Sequence, residues 1–241
     1  MFELRLDKLR PLKIFDNKNE LKKAFNELNS IPFQYLDNDV CNSILQLDEA
    51  IQEWYTFNNF YDDVDKVNLD IHQCNVLDIT REFMHYIKDV PIESIAVLLF
   101  CARYHDIGKL KCEDKTDHAQ KSAQLVKEIM DESNIKLPEE ILNIMLFLLS
   151  HHSDKGIPYL DKIHNTSGPN TNYILLAYLI DADILSKYAT SPLLSKYNDT
   201  KSINDNLKDF VSSLEKKFFN KTYIISTDVG KQMLYRILYD L

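Results

Sequence analysis

The chain has 241 residues, 45 % hydrophobic and 27 % charged, with a net charge of −9; this is ordinary globular usage and excludes wholesale disorder. Only four Gly and seven Pro are present, against a usual Gly share of ~7 %, so turn-rich sandwiches and Gly-rich nucleotide loops are disfavoured and an all-α chain is expected. The acidic balance, without a Lys/Arg block, excludes a broad nucleic-acid footprint but allows a small phosphorylated ligand held by local cations.

Taken in chain order, Met1-Phe2-Glu3-Leu4-Arg5-Leu6-Asp7 carries acids inside its apolar run and does not read as a signal peptide. Helical patterning surrounds Leu21 to Phe25 and returns from Ile44 to Phe57, where Ile44, Leu47, Ile51 and Trp54/Tyr55 recur at helical spacing. After a loop at Asn58 to Asp63, a long helix is predicted from about Val64 to Lys88, with His72, Val76, Ile79 and Phe83 on one face. Pro91 suits the start of the next helix, Ile92 to about Tyr104, which is apolar nearly all round and therefore buried. That helix delivers His105-Asp106-Ile107-Gly108-Lys109, with Gly108 read as the helix end. Further helices are predicted over His118 to Ser133, Pro138 to His151-His152, Asn172 to Tyr188, Ile203 to Phe219 and Thr227 to Leu241. Between them, Ser153 to Thr171 is the longest loop and a candidate substrate lid. The expected organisation is a helical extension over 1–60, a core over 61–190, and C-terminal helices over 191–241 packed on that core. The longest apolar stretches are too short to span a bilayer. Cys41, Cys74, Cys101 and Cys112 show no CxxC spacing and read as free thiols, so a cytoplasmic protein is expected.

The seven histidines are not spread evenly. His72, His105-Asp106, His118, His151-His152 and Asp181-Ala182-Asp183 each arrive on a separate predicted helix, which is how helical bundles assemble metal sites. Imidazole and carboxylate together suit divalent transition ions. A single Asp has two oxygens and can bridge two ions about 3.5–4 Å apart, a standard device for phosphoester hydrolysis. No GxSxG, GxxxxGK[ST] or GxGxxG motif offers a rival chemistry. Asp181 and Asp183 lie about 200° apart around a helix, so only one can face such a site. Asp183 shares a face with Leu176 and Leu179 and is the preferred ligand, with Asp181 the alternative.

His72, His105-Asp106 and a later Asp resemble the H…HD…D signature of the HD-domain superfamily of metal-dependent phosphohydrolases. The stretch His105 to Lys109 reads HDIGK, a frequent form of that motif. Asp117-His118 to Ser122-Ala123 is similar to its "GH…SA" segment, Leu149 to His152 to its "HH" helix end, and Asp181 to Ile184 to its "AD" segment. The resemblance covers about residues 64–190. It implies a compact helical bundle holding one or two divalent ions (Mn, Fe, Co, Ni, Zn or Mg). His118 and His151 make the chain similar to the binuclear branch, as in HD-GYP-type and dinucleotide-tetraphosphate-cleaving members. In that branch Asp106 bridges the ions, with His72, His105 and the late Asp on one. His118 and His151, with His152 as a further candidate, hold the other. Lys109 would face the substrate phosphate. The loop after the HH pair reads Gly156-Ile157-Pro158-Tyr159, not Gly-Tyr-Pro, which argues against cyclic-di-GMP cleavage.

The expected function is hydrolysis of a phosphoester in a nucleotide or similar small substrate by a metal-activated hydroxide. The alternatives are a cyclic-nucleotide or dinucleotide phosphodiesterase, and a non-catalytic nucleotide-binding signalling module. The expected partner is the small substrate, with neither duplex nucleic acid nor membrane, and with a homodimer open.

Overall fold

A computed structural model describes residues 39–60, 63–84, 86–87, 90–112, 117–153, 171–189, 212 and 225–239. Among the described residues the fold is all-α, with seven α-helices, one short 3-10 turn and no strand. The helices are α1 Asp39–Phe57, α2 Val64–Met84, α3 Ile92–Tyr104, α4 His118–Glu132, α5 Glu139–His151, α6 Thr171–Ala189 and α7 Asp228–Tyr239, and the 3-10 turn is Ile107–Leu110. No helix here is long and apolar enough to cross a membrane.

Each helix follows from its pattern. In α1, Cys41, Ile44, Leu47, Ile51 and Tyr55 recur every three or four residues, and all are buried. Helix α3 begins after Pro91, whose carbonyl accepts from Ser94 and Ile95 N–H. From Ser94 to Tyr104, α3 is buried at every position except Ile95. It is the central rod, packed against α1, α2, α5 and α6. Helix α4 ends with Asn134 in the left-handed region (φ 52°) and Ile135 N–H returning to the Met130 carbonyl at 3.0 Å, a common helix stop. Helix α6 buries Leu175, Leu176, Leu179 and Leu185, and packs against α2, α3, α5 and α7.

Two expectations about helix ends are corrected. Helix α2 stops at Met84 rather than Lys88, and Tyr86 N–H closes a last turn on the Phe83 carbonyl. Helix α3 stops at Tyr104, and Gly108 is not its left-handed terminator, because neither described Gly has a positive φ. Gly108 is required for space: a Cβ there would lie 2.2 Å from the His118 carbonyl oxygen and 2.4 Å from Ser122 N. The 3-10 turn thus presses directly on the first turn of α4, and Gly108 N–H donates to Ser122 Oγ at 2.9 Å. The predicted helices around residues 21–25 and 203–219, and nearly all of the 153–171 loop, lie outside the described residues.

Candidate metal centre

Five helices and the α3–α4 connection converge on one carboxylate. Asp106 follows directly on the end of α3, ahead of the 3-10 turn, and is almost wholly buried. Its Oδ2 faces His72 Nε2 from mid-α2 and His105 Nε2 from the end of α3, each at 3.4 Å. Its Oδ1 faces His118 Nε2 from the first residue of α4 and His152 Nε2 from the end of α5, each at 3.3 Å. Asp183, on α6, adds a second carboxylate to the first group, with Oδ1 at 3.1 Å from His72 Nε2 and 3.6 Å from His105 Nε2. Two triads of potential ligand atoms therefore share Asp106: His72-His105-Asp106 and Asp106-His118-His152.

The tautomers decide what this arrangement accepts. His105 Nδ1–H donates to the Ala102 carbonyl at 3.1 Å, and His152 Nδ1–H donates to the Leu149 carbonyl at 2.8 Å. Because a carbonyl only accepts, the neutral form of both rings carries its proton on Nδ1 and turns an Nε2 lone pair inward. The Nε2 atoms of His72 and His105 are buried with no hydrogen-bond partner. Lone pairs and carboxylate oxygens converging out of water repel one another unless a cation sits among them, so this donor set fits a divalent ion.

The electrostatics carry the same sign. Burial depresses the His105 imidazole, yet Asp106 and Asp183 outweigh it and raise its pKa to about 9. Burial opposes ionisation of Asp106, yet the His105 charge and the facing imidazoles of His105, His152 and His72 hold it well below the usual carboxylate range. His152 is lowered by burial, against the opposing hydrogen bond to Asp106. Positive charge is thus favoured at His105 and negative charge at Asp106, while the His152 ring is biased towards its neutral form. Lys109 Nζ pairs with Asp106 Oδ2, and at 35 % exposure its side chain is the least buried of the cluster.

Of the residues picked from sequence, His72, His105, Asp106, Lys109, His118 and Asp183 are brought together, and His152 joins them. His151 is not part of the cluster. Its Nδ1 lies 3.0 Å from the Phe147 carbonyl and 2.8 Å from Ser150 Oγ, and its ring stacks on Phe147 with centroids 4.5 Å apart. The physical reason is the 100° step between neighbouring helical residues: His152 keeps helical angles just past the end of α5 (φ −61°, ψ −24°) and so points inward where His151 cannot. Asp181 also lies away from the cluster. Its two oxygens accept from Ser226 N–H at 2.8 Å and Thr227 N–H at 2.7 Å, against the start of α7.

Sequence reading overlooked Ser186, whose Oγ lies 3.2 Å from His72 Nδ1. The available signal was its place one turn after Asp183 on the same helix. It also overlooked the buried Asp70–Arg103 pair beside His72 and His105, signalled by a lone Arg in the otherwise apolar α3.

Residues 69–187 match the family model of the HD domain. No curated protein and no solved structure gives a significant match to the chain.

Proposed function

We propose that this chain, whose residues 69–187 are an HD domain, is a phosphohydrolase acting on a nucleotide or similar small phosphorylated substrate through one or two divalent ions. HD domains are in general metal-dependent phosphohydrolases, and the His/Asp groups of this one could hold such ions. The observation that carries the reading is the division of Asp106, with one oxygen facing His72 and His105 and the other facing His118 and His152. In this reading His72, His105, Asp106 and Asp183 would hold one ion, and Asp106, His118 and His152 would hold the second. Bound divalent ions bring the pKa of water towards neutrality and neutralise charge on phosphate oxygens.

The protein's own groups orient and exclude. Carbonyls fix the His105 and His152 rings, so neither has to reorganise when positive charge arrives. The burial of Asp106 and His105 keeps bulk water from screening the site. Lys109 places an ammonium on its most exposed side, where a substrate phosphate would meet it.

The test combines metal analysis of the purified protein with a phosphatase and phosphodiesterase screen on a nucleotide panel, with Mn, Co, Fe, Ni, Zn and Mg supplied in turn. Turnover with at least one metal is expected, together with loss of both metal content and turnover in His105→Ala and Asp106→Ala. Release of inorganic phosphate identifies a monoesterase and release of a nucleoside monophosphate a diesterase. No metal uptake and no turnover in any arm sinks the reading.

A further inference from the structure

His105 and His152 are oriented by carbonyls three residues back in their own helices, and both lie at helix ends, where carbonyls lack intrahelical partners. His72 lies in the middle of α2, where neighbouring carbonyls are engaged in the helix. Its orientation has to come from another element. Ser186 on α6 is 1 % exposed, and its hydroxyl donates to the Asp183 carbonyl at 2.8 Å. With its only hydrogen used there, Ser186 Oγ faces His72 Nδ1 at 3.2 Å as an acceptor. The proton of His72 is then on Nδ1. Consistently, His72 Nε2, at 3.1 Å from Asp183 Oδ1, makes no hydrogen bond. The opposite assignment, with Ser186 donating to Nδ1, would put the proton on Nε2 and close that nitrogen to a metal.

We propose that Ser186 is a positioning residue: its hydroxyl, held by the backbone carbonyl of Asp183, sets His72 as the Nδ1–H tautomer and so orients a metal-facing group of α2 from α6. The inference rests on the metal-centre reading for its consequence, but the tautomer can be measured without metal. Such outer hydrogen bonds to a metal-binding His typically change affinity by about 10–100-fold.

The test compares wild type with Ser186→Ala, a substitution that favours the helix, and with Ser186→Thr, which keeps the hydroxyl. In metal-free protein at pH 8, nitrogen-15 NMR of the imidazoles, assigned by loss of signal in His72→Gln, should report Nδ1–H for His72 in wild type and Ser186→Thr. A mixture of tautomers is expected in Ser186→Ala. Titration with Mn or Co should show Ser186→Ala binding about 10–100-fold more weakly, with an unfolding midpoint for the metal-free protein close to that of wild type. An Nε2–H tautomer in wild type, or an unchanged tautomer and affinity in Ser186→Ala, overturns the proposal. If wild type takes up neither metal, the metal-centre reading fails, and the tautomer comparison still decides the role of Ser186.

Discussion

With a metal ion bound as proposed, Asp106 and its two pairs of imidazoles would make the site a balance between protons and metal ions. The pKa of His105 is about 9 in the metal-free protein, raised by Asp106 and Asp183 against the effect of burial. A folded-state pKa above the ordinary value near 6.5 means that this proton stabilises the fold fully below about pH 6.5 and is lost as pH rises through about 9. A metal ion needs the neutral ring, so below that range it has to displace the proton. The metal-free protein should therefore lose thermal stability between pH 6.5 and 9, and the stabilisation conferred by added Mn or Co should grow over the same interval. Differential scanning calorimetry with and without metal measures both slopes, and a metal-induced shift that shrinks with rising pH would contradict this account. At the end of α5 the two neighbouring histidines give a sharper contrast. His152→Ala removes one of the three ligand atoms of the second triad, and should lower metal content and reduce turnover by about 100-fold or more, within the usual range for removing a group from a preorganised site. His151→Ala removes a ring that packs on Phe147, and turnover should stay within a few-fold of wild type.

At the scale of elements, α2 and α3 are joined behind the centre by a buried ion pair. Arg103 Nη2 donates to Asp70 Oδ1 and Nη1 donates to Gln73 Oε1 at 3.3 Å, so the partners lie within two residues of His105 and His72. Helix α1 adds to this layer: Tyr55 OH donates to Gln73 Oε1 at 3.5 Å, Gln52 Nε2 donates to Tyr104 OH at 2.7 Å, and Tyr104 OH donates to Asp48. Burial raises the pKa of Asp70 and the Arg103 charge opposes it. Removing one member leaves the other buried and uncompensated, which typically costs about 3–5 kcal/mol. Asp70→Ala should lose about that much in denaturant unfolding, whereas Asp70→Leu combined with Arg103→Met should recover most of it. A loss under about 1 kcal/mol in the single variant would mean that water reaches the pair. The three helices were legible from apolar spacing, because burial of one face is what periodicity records. Of the polar layer only Arg103 gave a signal, as the lone Arg after the apolar run of α3, because Asp70 and Gln73 look like solvated positions until the helices are packed.

For the whole molecule, the ordered ligand pattern fixed which helices meet, since five separated His and Asp elements have few ways of sharing one centre. What it did not determine were angular positions within a single turn: the preference for Asp183 over Asp181 agrees with the cluster and that for His151 over His152 does not, because such choices depend on the rotation of a helix against neighbours far away in sequence. For Asp181 the deciding neighbour is the C-terminal segment: its carboxylate takes the N–H groups of Ser226 and Thr227 ahead of α7. Gly230 completes the seat, since a Cβ there would lie 2.6 Å from Asp181 Oδ2. The attachment of α7 to the core is thus made two residues from Asp183, on the opposite side of α6 from the metal-facing cluster. Burial raises the Asp181 carboxyl to about 6 even though these N–H groups and Lys231 favour its charged form. A folded-state pKa above the ordinary value near 3.9 means that its stabilising effect is complete below about pH 3.9 and lost as pH rises through about 6. Between pH 4.5 and 7 this amounts to about 2 kcal/mol. Asp181→Asn does not titrate there, so the stability of wild type relative to that variant should fall by about 2 kcal/mol over the interval in denaturant unfolding. Asp181→Ala leaves both N–H groups without their acceptor, and hydrogen exchange at the Ser226 and Thr227 amides should then accelerate while exchange in α3 stays slow. Equal acceleration in α3 would show that α7 and the core unfold as one unit, and that Asp181 is part of the core rather than the clamp on its last helix.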